Sequence, residues 1–206
     1  MKVSTTHYKF ENYTNIQRWS SYWHQINEVI KMKPASVLVI GVGDGIVVNT
    51  LKMQVENVKT LDYDAEFNPD FVCDVSNVDM AINAEKFDVV LCSQVLEHLE
   101  FEKFEDTIKK LANICNIGMI LSLPQNKRCL FACKLKLPKI PLINIIIQIP
   151  RSNILCDQHY WELDYKTTTR KRVKNILERY FDIENQYYVE NNLYHYFYIL
   201  KKTKAA

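Results

Sequence analysis

Val37-Leu38-Val39-Ile40-Gly41-Val42-Gly43-Asp44-Gly45 carries a β-branched apolar run straight into three of the four glycines in the chain. Ser36 to Ile40 has the composition of a short strand buried on both faces. From Ile46 to Met53 the apolar residues return at helical spacing, at Ile46, Val47 and Leu51. A strand that turns on glycines and leaves as a helix brings bare backbone close to a ligand. The first helical turn adds unpaired N–H groups facing the same crevice. A tight turn without a ligand is the plain alternative, and clustering in so glycine-poor a chain argues against it. The dinucleotide fingerprint GxGxxG seats a pyrophosphate. Here the third glycine follows one residue sooner, as GxGxG, so the implied cofactor carries no pyrophosphate.

The alternation extends in both directions. A helix rich in aromatics (Trp19, Tyr22, Trp23) is predicted from about Asn15 to Met32, stopped by Pro34, and its aromatic stripe reads as core. Strands are predicted at Val58–Leu61, Phe71–Cys73, Phe87–Cys92 and Met119–Leu123, with a weak helix at Met80–Lys86 and a longer one at Phe101–Ile114. Such alternation argues a parallel α/β sheet. After a further helix at Thr167–Tyr180, the runs Phe181–Glu190 and Leu193–Lys201 flank Asn191-Asn192. That pattern predicts a β-hairpin, since Asn tolerates the positive φ of tight turns. The expected fold is α/β and Rossmann-like: seven strands, mostly parallel, a C-terminal antiparallel hairpin, and helices on both faces. Length allows one domain over residues 1–206, with a helical cap over 1–34 and an insertion over 124–160.

An apolar share of 48% and a charged share of 24% are those of a soluble globular chain. A net charge of +2 announces neither a nucleic-acid nor a membrane partner. Met1–Asn15 lacks the apolar core of a secretory leader. Ile140–Ile149 is about half the roughly 20 residues that cross a bilayer. The six cysteines form no CxxC pair and no zinc-spaced cluster, and several sit in apolar runs as small buried hydrophobes. A reduced, cytoplasmic protein is expected.

Acids stand at the ends of the next two strands, Asp62 after Val58–Leu61 and Asp74 after Phe71–Cys73. Then comes Phe87-Asp88-Val89-Val90-Leu91-Cys92-Ser93-Gln94-Val95-Leu96-Glu97-His98-Leu99. From about Ser36 to Lys201 these features, in this order, resemble the class I S-adenosylmethionine-dependent methyltransferases. The resemblance implies S-adenosylmethionine as cofactor, bound by Gly41, Val42, Gly43, Gly45, Asp62, Tyr63, Asp74, Val75, Ser93 and Gln94. Asp62 would accept the ribose hydroxyls and Asp74 the adenine amino group, with Ser93 and Gln94 bordering the methionine end. One departure is Val39, where many members of the family carry an acid two residues before the first glycine.

A sulfonium methyl is already activated, so the protein's task is to hold donor and acceptor in line, with a base for a hydroxyl acceptor. His98, beside Glu97, is the first candidate. Some members bind a metal here through Glu-x-x-Glu-His. Gln94 replaces the first of those acids, and no metal is expected. The second candidate is Asp157-Gln158-His159-Tyr160-Trp161-Glu162-Leu163, similar to an HxWE signature of small bacterial methyltransferases. It offers His159 as base, Trp161 as an acceptor platform and Glu162 as an orienting carboxylate. Both clusters also read as purely structural, capping a helix or pinning a loop. His7 is assigned to the terminus, and His24 and His195 to packing.

Between Pro124 and Cys156 the alternation stops. No acid occurs between Asp106 and Asp157, while Lys127, Arg128, Lys134, Lys136, Lys139 and Arg151 mix with apolar residues. Three readings stay open for this irregular stretch: a lid over the acceptor, a helical dimerisation flap, or peripheral contact of residues 127–151 with an anionic membrane. The expected acceptor is an oxygen, less readily a nitrogen, of a small molecule or glycan. No nucleic-acid partner is expected. Cys92-Ser93-Gln94-Val95 is not the Asn/Asp-Pro-Pro-Tyr of amino-group methylation, and no Pro-Cys nucleophile is present. A protein or nucleic-acid methyltransferase, or a non-catalytic cofactor-binding subunit, is the alternative. The oligomeric state is left open.

Overall fold

The computed structural model describes residues 8–140 and 143–203, so His7 lies outside the described residues. A short turn of helix, α1 (Phe10–Tyr13), precedes α2 (Ile16–Lys31). Asn15 caps α2 by accepting from the Arg18 amide at 2.8 Å. The helix buries Ser21, Tyr22, Gln25 and Val29, one stripe at helical spacing, against the sheet. Of the aromatics expected in the core, only Tyr22 is there; Trp19 and Trp23 are exposed.

The main sheet holds β1 (Ser36–Ile40), β2 (Asn57–Asp62), β3 (Phe71–Val72), β4 (Phe87–Ser93), β5 (Cys115–Pro124), β8 (Phe181–Val189) and β9 (Asn192–Lys202), in the order β3-β2-β1-β4-β5-β9-β8. The first five are parallel and β9 runs antiparallel to β5 and β8. Strand residues alternate between two cores. Leu38, Ile40, Val90 and Cys92 pack with α5 (Phe104–Ile114) and α6 (Arg170–Leu177). Val37, Val39, Val89 and Leu91 pack with α2 and α3 (Ile46–Lys52). A strand buried on both faces must be apolar throughout, which is why these runs stand out. The seven-stranded, doubly covered, Rossmann-like architecture is as expected.

Three local departures have identifiable causes. The weak helix predicted at Met80–Lys86 is α4, Val78–Ala81, cut short where Asn83 and Ala84 take φ of 46° and 64°. β5 begins at Cys115, earlier than expected, because Cys115 already pairs with Phe87 of β4, and at Gly118 the strand comes close to β9. A Cβ there would lie 2.2 Å from the Leu200 carbonyl oxygen. Gly118→Ala is therefore expected to destabilise by roughly 3 kcal/mol, the upper end of overpacking costs. The melting temperature should fall by about 6–12 °C, and an unchanged thermal melt would contradict the packing. The C-terminal hairpin forms, but for another reason than the one anticipated. Neither Asn191 nor Asn192 has positive φ. Asn192 instead donates through Nδ2 to Ser21 Oγ at 2.9 Å, and the register slips between Tyr188 and Val189.

The stretch expected to be irregular is a second, two-stranded sheet: β6 (Lys127–Leu135) paired antiparallel with β7 (Ile143–Pro150). Lys134 and Asn144, opposite each other, both reach Glu190 on the body of the protein, at 2.8 and 2.6 Å. On the other face the pairs Phe131–Ile147, Cys133–Ile145 and Leu135–Ile143 point to solvent. Strand periodicity is hidden here because Ile145, Ile146 and Ile147 are apolar on both faces. All six cysteines are free; Cys92 and Cys115 are buried as expected, whereas Cys129 and Cys133 on this ribbon are exposed.

Candidate functional site

At the carboxyl ends of β1, β2 and β4 lies a cavity of about 590 Å³, a size typical of small-molecule sites. One wall is the glycine turn. Gly41, Gly43 and Gly45 have φ of 83°, 57° and 77°, all left-handed. A Cβ on Gly41 would sit 2.9 Å from Val95 Cγ2, so bare backbone is required there. The Asp62 carboxylate, 7% exposed, holds the turn by accepting from Val42 N at 2.9 Å through Oδ2 and from Asp64 N at 3.0 Å through Oδ1. Each oxygen keeps a second lone pair. Asp44 does the rest: Oδ1 accepts from Ile46 N at 3.1 Å, and Oδ2 accepts from Tyr22 Oη at 2.6 Å and Thr14 Oγ1 at 3.1 Å. These bonds supply the order that an acid at Val39 would bring, and they tie the N-terminal cap to the turn.

Along the cavity, Asp74 starts a short 3₁₀ turn at Val75–Asn77 and accepts from Ser76 N and Oγ, both on Oδ1. Ser93 and Gln94 close β4. Ser93 Oγ lies 2.6 Å from Ser122 Oγ, and Gln94 is held at φ 57° by bonds to Ser122. Such a left-handed non-glycine residue at a strand end is a frequent mark of a functional site. Tyr8, Tyr13 and Phe67 form an aromatic wall, with Tyr8 4.6 Å from Tyr13 and 5.1 Å from Phe67 between ring centroids.

The far wall comes from two loops stitched together. Tyr160 N donates to the Glu97 carbonyl at 2.9 Å, and Trp161 Nε1 to the Leu99 carbonyl at 3.0 Å. His98 Nδ1 lies 3.2 Å from the Gln158 carbonyl oxygen. This brings the His98 and His159 rings to 4.9 Å, edge to face. His159 Nδ1 meets Glu162 Oε1 at 3.2 Å, and Glu162 also accepts from Tyr194 Oη at 2.5 Å, Asn126 Nδ2 at 2.8 Å and Leu155 N at 3.1 Å. Burial by itself would raise the Glu162 acid, but these four donors hold it below the usual carboxylate range. Glu97 is the opposite case. Fully buried, with no other residue hydrogen-bonded to either oxygen among the described residues, its acid is pushed up to about 8 by burial and, to a lesser degree, by the nearby Glu162 carboxylate. Burial, then the neighbouring His159, lowers the His98 imidazole below its usual range.

The structure brings most of the anticipated residues to one place. Gly41, Gly43, Asp62, Tyr63, Asp74, Val75, Ser93, Gln94, His98 and His159 line the main cavity, and Val42 lines an adjoining recess of about 60 Å³. Gly45 lines neither and serves as the N-cap of α3. Trp161 is no acceptor platform: 3% exposed, it packs edge-on against Phe101 and Phe104. Glu162 stands behind His159 as an orienting group. Of the insertion over 124–160, residues 157–160 line the cavity and none of residues 124–156 does. His24 packs as expected, against Tyr187. His195 is buried, as a packing residue would be, and also lines the recess, its imidazole lowered to about 3 by burial. Tyr194 was missed altogether. Both lie where the register slip in the hairpin re-aims β9, a local feature that no residue pattern announces.

A parallel sheet with a glycine turn, acids at the next two strand ends and a crevice above them defines a nucleoside-binding Rossmann-like protein. Residues 38–122 match the family model described as "Methyltransferase domain". That match covers about two fifths of the chain, and the fold is the one expected of the class I S-adenosylmethionine-dependent methyltransferases that the sequence resembles. Among solved structures it is similar to the N-methyltransferase NodS from Bradyrhizobium japonicum WM9 in complex with S-adenosyl-L-homocysteine, with TM-score 0.65 and 9% identity over 95% of this chain and 92% of that one. It is also similar to the PH0226 protein from Pyrococcus horikoshii OT3, at TM-score 0.60 and 14% identity over 98% and 100%. A third is the magnesium protoporphyrin IX methyltransferase ChlM from Synechocystis PCC 6803 with bound S-adenosylhomocysteine, at 0.58 and 13% over 99% and 90%. No protein of curated function matches in sequence.

Proposed function

We propose that this chain transfers the methyl group of S-adenosylmethionine to an oxygen of a small amphipathic or glycan acceptor. The observation that carries this reading is one continuous cavity lined by the glycine turn, Asp62 and Asp74 as well as by His98 and His159. The residues fit the cofactor. Gly41 leaves room that a Cβ would fill. The buried Asp62 carboxylate has lone pairs to spare for ribose hydroxyls, and exposed Asp74 has Oδ2 outside its capping bonds. Tyr63 and Val75 flank the adenine end, and Ser93 and Gln94 the amino-acid end. When bound, the cofactor supplies an activated methyl on a sulfonium. The protein orients the acceptor and takes up its proton at the cluster of Glu97, His98 and His159, with Glu162 and Tyr194 fixing the His159 ring. Calorimetry with S-adenosylmethionine and S-adenosylhomocysteine tests the reading. Binding of both supports an enzyme, while binding of neither would overturn it and favour a non-catalytic subunit.

The β6–β7 ribbon supports an acceptor met at an anionic bilayer. Its outward face is apolar, with Phe131 50%, Ile145 49% and Ile147 49% exposed, and the exposed cations Arg128, Lys136 and Lys139 lie on the same ribbon and its connecting loop. An exposed apolar patch of this kind marks an interaction site, and cations near an anionic surface contribute about 1 kcal/mol each. No helix among the described residues is long and apolar enough to cross a membrane, so contact would be peripheral. The chain is expected to float with phosphatidylserine vesicles at low salt and to be released by high salt or by Phe131→Ser with Ile145→Ser. Absence of flotation at low salt, or a ribbon-dependent dimer in sedimentation, would overturn the membrane assignment.

A further inference from the structure

The acceptor end of the cavity selects its ligand by charge. We propose that Asp157 and Tyr160 form a subsite for a protonated amine on the acceptor, with the ammonium held by the Asp157 carboxylate and the Tyr160 ring. That the amine belongs to the methyl acceptor rests on the methyl-transfer reading; the preference for a cation does not.

The first observation is the sign of the cavity. The chain has 26 lysines and arginines, yet none of the described residues lining the cavity is one of them. Three carboxylates line it, those of Asp62, Asp74 and Asp157. A cleft lined by one sign of charge concentrates ligands of the other. A phosphate on the acceptor would enter against that field and find no guanidinium or ammonium to pair with.

The second is that Asp157 has no task within the fold. Asp62 holds the glycine turn through two backbone amides, and Asp74 caps a turn through Ser76. The Asp157 side chain makes no hydrogen bond or ion pair with any described residue. It is the first acid after Asp106, at the end of a stretch rich in lysine and arginine, and none of those cations pairs with it. Its position is nonetheless fixed. Asp157 and Gln158 form the tip of a turn closed by His159 N on the Cys156 carbonyl at 3.0 Å, and His98 Nδ1 holds that tip at the Gln158 carbonyl, 3.2 Å away.

The third is the company Asp157 keeps. Tyr160, three residues on, also lines the cavity and is 64% exposed, although its amide is pinned to the Glu97 carbonyl at 2.9 Å. An aromatic ring beside a carboxylate suits an ammonium group, which the ring's electron-rich face attracts. Behind the same wall lies Glu97, 0% exposed, with no other residue bonded to either oxygen among the described residues. Its Oε1 is 3.9 Å from His159 Nε2, too far for a hydrogen bond. A buried carboxyl without a donor is costly as an anion, and a cation brought to this end of the cavity offsets that cost. An anionic acceptor would add to it.

The test uses the full chain saturated with S-adenosylhomocysteine and three probes of one shape. Tyramine, tyrosol and 4-hydroxyphenylacetate end in an ammonium, a hydroxyl and a carboxylate. Calorimetry should show tyramine binding about tenfold more tightly than tyrosol, with 4-hydroxyphenylacetate weakest. Asp157→Asn should bring tyramine to within about twofold of tyrosol, since the charge pair is gone, and Asp157→Glu should restore most of the difference. Tyr160→Leu should weaken tyramine by about threefold, the loss of one exposed ring contact. The Kd of S-adenosylhomocysteine, measured on the same samples, reports the cofactor reading separately and should not move. If that ligand fails to bind, the cofactor reading falls and the three probes are compared on the unliganded chain. No binding of tyramine, equal affinity for tyramine and tyrosol, tighter binding of the carboxylate probe, or an Asp157→Asn chain that holds tyramine as the parent does would overturn the subsite.

Discussion

Replacing Asp62 with Ala is expected to lower the affinity for S-adenosylhomocysteine by about 100-fold. The carboxylate does two jobs through the same two oxygens. It accepts from Val42 N and Asp64 N, which sets the shape of the glycine turn. Its remaining lone pairs face the cavity, where ribose hydroxyls would donate. Hydrogen bonds to a charged group contribute roughly 1.5–3 kcal/mol each. Loss of the ligand bonds alone reaches about 3 kcal/mol, or about two decades in Kd. Loosening of the turn adds to this. Asp62→Asn keeps one acceptor oxygen and should fall between. Calorimetry decides, with circular dichroism confirming the fold. A dissociation constant close to that of the parent chain would remove Asp62, and with it the cofactor orientation, from the reading.

The second large effect is expected at His159. His159→Ala should lower kcat by about 100-fold or more, the range of a positioned proton-transfer group, and leave the cofactor's Kd nearly unchanged. The cavity geometry separates the two effects, since His159 stands on the wall opposite the glycine turn. Glu162→Gln should cost less, about tenfold, because an amide still accepts from Tyr194 but no longer matches the four donors that converge on the carboxylate. The assay follows methyl-labelled donor across a panel of sugars and lipid-linked glycans. Full turnover in His159→Ala on an acceptor used by the parent would dismiss the cluster from the chemistry. A parallel loss of cofactor affinity would mean that His159 merely supports the fold.

The residues proposed to hold the cofactor are nameable from sequence because each is tied to a local event in the chain: a glycine turn, or the last residue of an apolar run. Asp62 and Asp74 could be placed by counting strands alone. The acceptor side was not readable in the same way. His98 and His159 were nameable as candidates, but their meeting depends on Tyr160 and Trp161 bonding back to the loop after β4. Trp161 shows the limit. An aromatic beside a candidate base reads as a platform until Phe101 and Phe104 are seen closing over it.

What the order of residues determined by itself was the sheet, the turn and the class of molecule that fits above it. Strands buried on both faces must be apolar end to end, and backbone at left-handed φ calls for glycine, so both leave marks within a few residues. Only the tertiary structure decided that Glu97 would be fully buried, that Tyr194 and His195 would turn inward at a slip in register, and that Lys127–Leu135 and Ile143–Pro150 would pair as a ribbon with a greasy outer face. Those outcomes depend on contacts between segments far apart in the chain, where desolvation and pairing are set by neighbours that no local pattern names.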